Sequence, residues 1–153
     1  MIKEVSGRDI KRAIELVNNV FSEFVAVDYS EQGKVTFETY LENKLEEVST
    51  ELNSGHKKMW AYYQDDTILG VIATRDVSHI SLMFVDKQYH RRGIAKQLLQ
   101  VVIDELKQDT GIIQITVNSS PYAVKIYEHL GFLKTEEMQE KDGIIFIPMM
   151  RSI

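Results

Sequence analysis

Val77–Leu99, VSHISLMFVDKQYHRRGIAKQLL, is the stretch from which the rest of the chain can be read. It opens as an apolar strand ending at Val85. A short polar turn, Asp86 to His90, leads into Arg91-Arg92-Gly93-Ile94-Ala95. From Arg92 to Leu106 the apolar residues Ile94, Ala95, Leu98, Leu99, Val102, Ile103 and Leu106 recur at helical spacing. A strand, a tight turn and a helix start make an anion site. The first turn of a helix has about four unpaired N–H donors and carries roughly half a positive charge. Gly93 and Ala95 are small enough to let a phosphate approach the backbone. Arg91, Arg92 and Lys96 add full charges, and His90 stands beside them. On these residues alone, a helix cap with solvated arginines remains the other reading. The chain lacks GxxxxGK[ST], which excludes a P-loop, and lacks GxGxxG after its first strand, which argues against a dinucleotide fold.

Upstream, Ile2 to Val5 reads as a short strand. Ser6, with Asp9 three residues on, resembles a capping box. Ile10, Ala13, Ile14, Val17, Val20, Phe21 and Phe24 then follow helical spacing. A second helix is expected from near Thr36, with Phe37, Tyr40, Leu41, Leu45, Val48 and Leu52 on one face. Glu38, Glu42, Glu46, Glu47 and Glu51 lie on the other, and Gly55 is its stop. Lys58 to Tyr63 and Ile68 to Thr74 are rich in β-branched and aromatic residues around Asp65-Asp66, a hairpin pattern. Gly70 there invites close approach of a neighbour. Val77 to Val85 makes a third strand of this meander.

Downstream, Gly111 closes the long helix and Ile112 to Val117 is a strand. Pro121 suits the first turn of another helix, which ends at Gly131. Phe132 to Thr135 and Ile144 to Met150 form a last strand pair joined by the charged stretch Glu136 to Gly143. The order is β-α-α-β-β-β-α-β-α-β-β. It predicts an α/β (α+β) mixed sheet with helices on its faces and one domain over residues 1–153.

Composition bounds the function. With 44% hydrophobic and 27% charged residues, the chain is an ordinary globular one. A net charge of −5 argues against a nucleic-acid binder. The absence of cysteine removes thiolate nucleophiles and Cys-ligated zinc, and no His-x-x-x-His or Glu-x-x-His pair suggests any other metal. The start, Met1 to Val5, lacks the apolar core of a signal peptide. The longest apolar run, Ile144 to Met150, falls far short of the ~20 residues needed to span a bilayer. The expectation is a cytoplasmic protein without membrane or nucleic-acid partners.

YHRRGIAKQLL resembles the acetyl-CoA pyrophosphate loop of the GNAT superfamily of N-acetyltransferases, [QR]-x-x-G-x-[GA]. Gly93 and Ala95 occupy the small positions; His90 replaces the usual Gln or Arg. Val117–Phe132, VNSSPYAVKIYEHLGF, is similar to the family's other signature, through Asn118, Tyr127, Leu130, Gly131 and Phe132. Ser120 sits where many members carry a second Asn. The resemblance extends over nearly the whole chain. It implies a GNAT-like, mostly antiparallel sheet whose fourth and fifth strands splay apart, with pantetheine in the gap.

The resemblance also implies roles. Backbone groups of Met83, Phe84 and Val85 would bond the pantetheine arm, with the Met83 N–H facing the thioester oxygen. His90, Arg91, Arg92, Gly93, Ile94, Ala95 and Lys96 would hold the diphosphate. Asn118 would bond the arm, and Ser120, Tyr122 and Lys125 would line its other side. Tyr127 maps to the general acid that protonates the leaving thiolate; the other reading of the residue is a core aromatic on an amphipathic helix. His79 takes the place of a carboxylate that some members use as general base, with Ser81 as a water-mediated relay. His79 can equally cap a strand end in solvent.

For the acceptor pocket, Glu23, Asp28, Tyr29, Glu31 and Glu38 are candidates, against the alternative of a charged surface face. The expected reaction is acetyl transfer from acetyl-CoA, the cosubstrate, to a primary amine on a small molecule or peptide, by direct attack and without a metal. A non-catalytic CoA-binding sensor on the same fold is the alternative. An exposed last strand would allow pairing into a homodimer.

Overall fold

The computed structural model describes residues 1–51 and 58–153, with side chains for all of these except 44–51. Strand β1 (Ile2–Glu4) precedes helix α1 (Ile10–Val20). Here the capping-box expectation fails. Ser6 makes no side-chain cap. Asp9 turns inward instead, accepting hydrogen bonds from Tyr63 Oη at 3.0 Å and Arg12 Nη1 at 2.9 Å. The bond from Tyr63, with help from Arg12, holds the Asp9 carboxyl below its usual range despite burial.

The helical spacing beyond Val20 does not continue as α-helix. Phe21–Val25 form a π-turn, closed by the Ala26 N–H on the Phe21 carbonyl, and Ala26–Asp28 a 3-10 turn. Helix α2 (Glu31–Glu51) starts before the expected Thr36. Its signal is Ser30, whose Oγ accepts the Gly33 N–H at 3.1 Å. The apolar pattern begins only at Phe37, so spacing alone misses this first turn. The expected stop at Gly55, together with Leu52 and His56, lies outside the described residues.

β2 (Lys58–Gln64), β3 (Thr67–Arg75) and β4 (His79–Val85) form the expected antiparallel meander. Asp65 takes the left-handed conformation (φ 54°) in the β2–β3 turn. β3 is buried from Ile68 to Thr74 because both its faces are covered. Leu69 and Ile72 belong to one core, with Leu98, Val102 and Ile103 of helix α3 (Ile94–Leu106). Ile68, Val71 and Ala73 belong to another, with Ile14 and Val17 of α1 and Leu41 of α2. A Cβ on Gly70 would sit 2.9 Å from Ile94 Cγ2, so the close approach expected there is that of α3.

α3 begins at Ile94 because Arg91 (φ 64°) and Gly93 (φ 78°) are both left-handed. β5 (Gln114–Ser119) is followed by the turn around Pro121 and the short helix α4 (Val124–His129). The chain ends with β6 (Leu133–Lys134), β7 (Gln139–Lys141) and β8 (Ile144–Ser152). β7, wholly exposed and polar, was not foreseen in the stretch Glu136–Gly143.

The sheet order is β1-β2-β3-β4-β5-β8-β6, with β7 added to β8. Among the described residues only β4 and β5 pair in parallel; every other strand pair there is antiparallel. The last strand is therefore not the free edge expected. β5 covers one side of β8, and β6 and β7 occupy the other. Among the described residues no helix is long and apolar enough to cross a membrane.

Candidate active site

β4 and β5 pair only at His79↔Thr116 and Ile80↔Val117 and part beyond that point. Just there β4 carries a bulge. Leu82 pairs with Ala73 and Ile80 with Thr74, so Ser81 is the extra residue. Such a bulge bends a strand and re-aims its side chains. Met83 and Ile80, three positions apart, consequently share the α3 face, while Leu82 and Phe84 pack toward α1 and α2.

The Asp86 N–H bonds the Leu69 carbonyl of β3 at 2.8 Å. Alternation along the strand then turns the backbone groups of Phe84 to β3 and those of Met83 and Val85 to the gap. The Val85 carbonyl is taken by His90, whose Nε2 donates to it at 2.7 Å. His90 also packs against Phe24, ring centroids 5.4 Å apart. It therefore tethers the loop to the strand end, a job that does not need Gln or Arg. The groups left facing the gap are the Met83 N–H and C=O and the Val85 N–H.

The loop between β4 and α3 is built by local rules. Asp86 Oδ1 accepts the Gln88 N–H at 2.9 Å, a 3-10 turn follows over Lys87–Tyr89, and Arg91 and Gly93 make the left-handed corner. The first α-helical bond here runs from the Gln97 N–H to the Gly93 carbonyl at 3.0 Å. The N–H groups of Ile94, Ala95 and Lys96 thus precede any intrahelical partner and point out of the helix start. A Cβ at Gly93 would meet nothing nearer than Gln97 Nε2 at 3.9 Å, so glycine is needed there for its φ and not for space.

These features border one cavity of about 510 Å³. It runs from Arg91, Gly93, Ile94, Ala95 and Lys96, along Met83, Phe84 and Val85, to Asn118, Ser120, Tyr122 and Tyr127. Most of the sequence-predicted site is thus brought together. Three residues are not. Arg92 is exposed and does not line the cavity, its guanidinium 5.2 Å from the Tyr89 ring centroid. Lys125 is exposed on the outer side of α4. His79 stands at the closed end of the splay, its Nδ1 2.8 Å from Thr116 Oγ1, and does not line the cavity. Burial, reinforced by the Arg75 charge, pushes its pKa down to about 4. It is neutral near pH 7 and is not one of the residues that line the cavity.

Tyr127 is buried, with its ring edge-on to Phe132 at 5.3 Å. Burial raises its pKa above the ordinary 10, so the phenol keeps its proton at every physiological pH. Ser81 Oγ is buried in the cavity wall with no hydrogen-bond partner among the described residues. A buried hydroxyl left unpaired costs about 1–3 kcal/mol, which a polar ligand in the gap would relieve. Ser120 Oγ meanwhile receives the Ala123 N–H at 3.3 Å and fixes the turn into α4.

The far end of the cavity departs from expectation. Phe21, Val25, Tyr29, Phe37 and Phe84 line it. Of the acceptor candidates only Tyr29 is among them. Glu23 is exposed and paired with Lys87 at 3.1 Å, and Glu31 with Lys34 at 3.1 Å; Asp28 and Glu38 face solvent. Phe21 and Phe37 escaped the sequence reading because an aromatic on an apolar helix face reads as core; no signal in the spacing marks it as a cavity wall.

The unpaired edge of β4, the bare helix start and the orphaned Ser81 hydroxyl suit an extended, amide-bearing ligand with a diphosphate at one end. The family model of the acetyltransferase (GNAT) domain matches residues 25–153. The UPF0157 protein YqkA of Bacillus subtilis (strain 168) is 28% identical over 104 residues, 66% of this chain but only 30% of that protein. PaiA N-acetyltransferase from Thermoplasma acidophilum, solved in complex with coenzyme A, superposes with a TM-score of 0.76 at 20% identity, over 100% of this chain and 98% of its own. A GNAT-family acetyltransferase from Staphylococcus aureus Mu50 gives 0.77 at 20% identity, over 99% and 98%. With the family model spanning most of its length and the parted sheet in place, this chain belongs to the GNAT acetyltransferase family.

Proposed function

We propose that the protein is an N-acetyltransferase that moves an acetyl group from acetyl-CoA to a primary amine by direct attack. The observation that carries this reading is the coincidence of three features in one cavity: the unpaired Met83 N–H, the helix start at Gly93–Lys96, and the buried, protonated Tyr127.

Acetyl-CoA, when bound, supplies an activated thioester. Arg91, Lys96 and the N–H groups of Ile94 to Lys96 hold the diphosphate end. The Met83 and Val85 backbone and Asn118 bind the pantetheine arm as a strand would, and Ser81 Oγ gains a partner. The Met83 N–H donates to the thioester oxygen and favours the charge that develops there, a contribution of about 3–4 kcal/mol in comparable sites. Tyr127 gives its proton to the departing sulfur.

No carboxylate lines the cavity among the described residues, and His79 stands outside it. The amine therefore reacts as its free base, having lost its ammonium proton to solvent. The amine nitrogen would add to the thioester carbon to give a tetrahedral oxyanion; its collapse breaks C–S as Tyr127 protonates the sulfur, one amine proton passes to the Tyr127 oxygen, and the two sides of the reaction balance. The titration expected of a His79 base near pH 6.5 has no place in this scheme.

The test is release of free thiol from acetyl-CoA over a panel of amines, with Tyr127→Phe as the control. General-acid catalysis is worth about 10²–10⁴-fold. The variant should lose at least 100-fold in kcat while retaining CoA affinity. Tight CoA binding with no thiol release on any amine would instead favour a sensor.

A further inference from the structure

Resting on the acetyltransfer reading, we propose that the acceptor is a primary amine carried on an aromatic or bulky apolar group, with no second cationic centre. Its apolar part would lie among Phe21, Val25, Tyr29, Phe37 and Phe84.

The placement follows from the strand. The bulge at Ser81 sends Met83 and Val85 to the α3 face and Phe84 to the α1–α2 face. The cavity borders both sets, so it passes through the parted sheet. A thioester beside Met83 is approached from the other side, past Phe84. The walls there are fixed. Phe21 and Phe37 stack at 3.9 Å with an interplanar angle of 19°, and Tyr29 meets Phe21 edge-on at 5.3 Å. Phe84 stands 6.3 Å from Phe37. The π-turn Phe21–Val25 sets Phe21 and Val25 on this wall; such turns recur at functional sites.

Charge decides the class. The titratable side chains on the cavity wall, tyrosines aside, are His90, Arg91, Lys96 and His129; neither Asp nor Glu is among its described lining residues. Glu23 and Glu31, which sequence offered as anchors, are tied to lysines outside. A diamine or aminoglycoside would have to bury a second ammonium against the aromatic walls with no carboxylate among the described lining residues to pair it. Cation–π attraction to the rings is too weak to offset that loss. A ring or branched alkyl group meets surfaces of its own kind. Pocket complementarity of this sort discriminates by about 10–200-fold.

The experiment compares kcat/KM for 2-phenylethylamine and tryptamine with that for 1,4-diaminobutane, spermidine and kanamycin, using acetyl-CoA and the wild-type chain. The arylalkylamines should be favoured by at least about 10-fold. In Tyr29→Glu, which sets a carboxylate in the wall, that ratio should fall by about 10-fold or more, with CoA affinity unchanged as a check on folding. A wild-type preference for the diamine, the polyamine or the aminoglycoside overturns this inference and leaves acetyl transfer standing. Absence of thiol release with every amine, while CoA still binds, overturns both.

Discussion

Gly93 and His79 show what a single residue does in this fold. Gly93 sits at φ 78° with open space where a side chain would begin. Gly93→Ala should cost only the left-handed penalty of about 1–2 kcal/mol and keep most CoA affinity. Gly93→Glu adds a negative charge at the helix start and should weaken CoA binding at least ~100-fold at equal foldedness; titration calorimetry reads both. His79 has a folded pKa of about 4 against the ordinary 6.5. Below pH 6.5 the unfolded chain takes up a proton that the folded chain refuses until about pH 4. Stability is therefore retained above pH 6.5 and lost as pH falls toward 4, by about 1–2 kcal/mol once solvent screening of the part-exposed ring is allowed for. Urea unfolding at pH 7.0 and 4.5 should show that loss in the wild type and a smaller one in His79→Gln. Gly93, Ala95, Asn118 and Tyr127 were legible because turn conformation and a motif single them out. That His79, Ser81 and Met83 do not share one strand face was not legible, because even alternation along β4 is broken by the bulge at Ser81.

Contacts between elements decide where the cavity ends. α2 enters against the β7–β8 turn through two glycines. A Cβ on Gly33 would lie 2.1 Å from the Gly143 carbonyl oxygen, and one on Gly143 2.3 Å from the Gly33 nitrogen. Thr36 Oγ1, 2.8 Å from the Asp142 carbonyl, ties the same corner. Gly33→Ala must push the two elements apart and should destabilise by about 1–3 kcal/mol, where an ordinary helical Gly→Ala would stabilise by up to about 1 kcal/mol; thermal denaturation measures it. Phe37 lies one turn further along α2, so the substitution should also raise KM for the acceptor more than for acetyl-CoA. None of this could be read from the chain alone. The two glycines are 110 positions apart, and helix spacing reports an apolar face without saying what it meets.

At the scale of the whole molecule, the strand and helix order follows from apolar periodicity, which is why the meander, α3 and the β5–α4 unit stand close to where spacing puts them. Periodicity says nothing about where a sheet parts. The parting after Ile80 follows from two pairing positions, a bulge and a buried helix docked on β3. On the proposed reading the gap it opens would hold a strand-like ligand, with Arg91 and Lys96 at one end and aromatic walls at the other. The most direct measurement is a crystal structure with CoA bound. The account predicts diphosphate oxygens about 3 Å from the N–H groups of Ile94 to Lys96 and the pantetheine arm bonded to the Met83 and Val85 backbone. A diphosphate seated anywhere else, with the gap between β4 and β5 still empty, would contradict it.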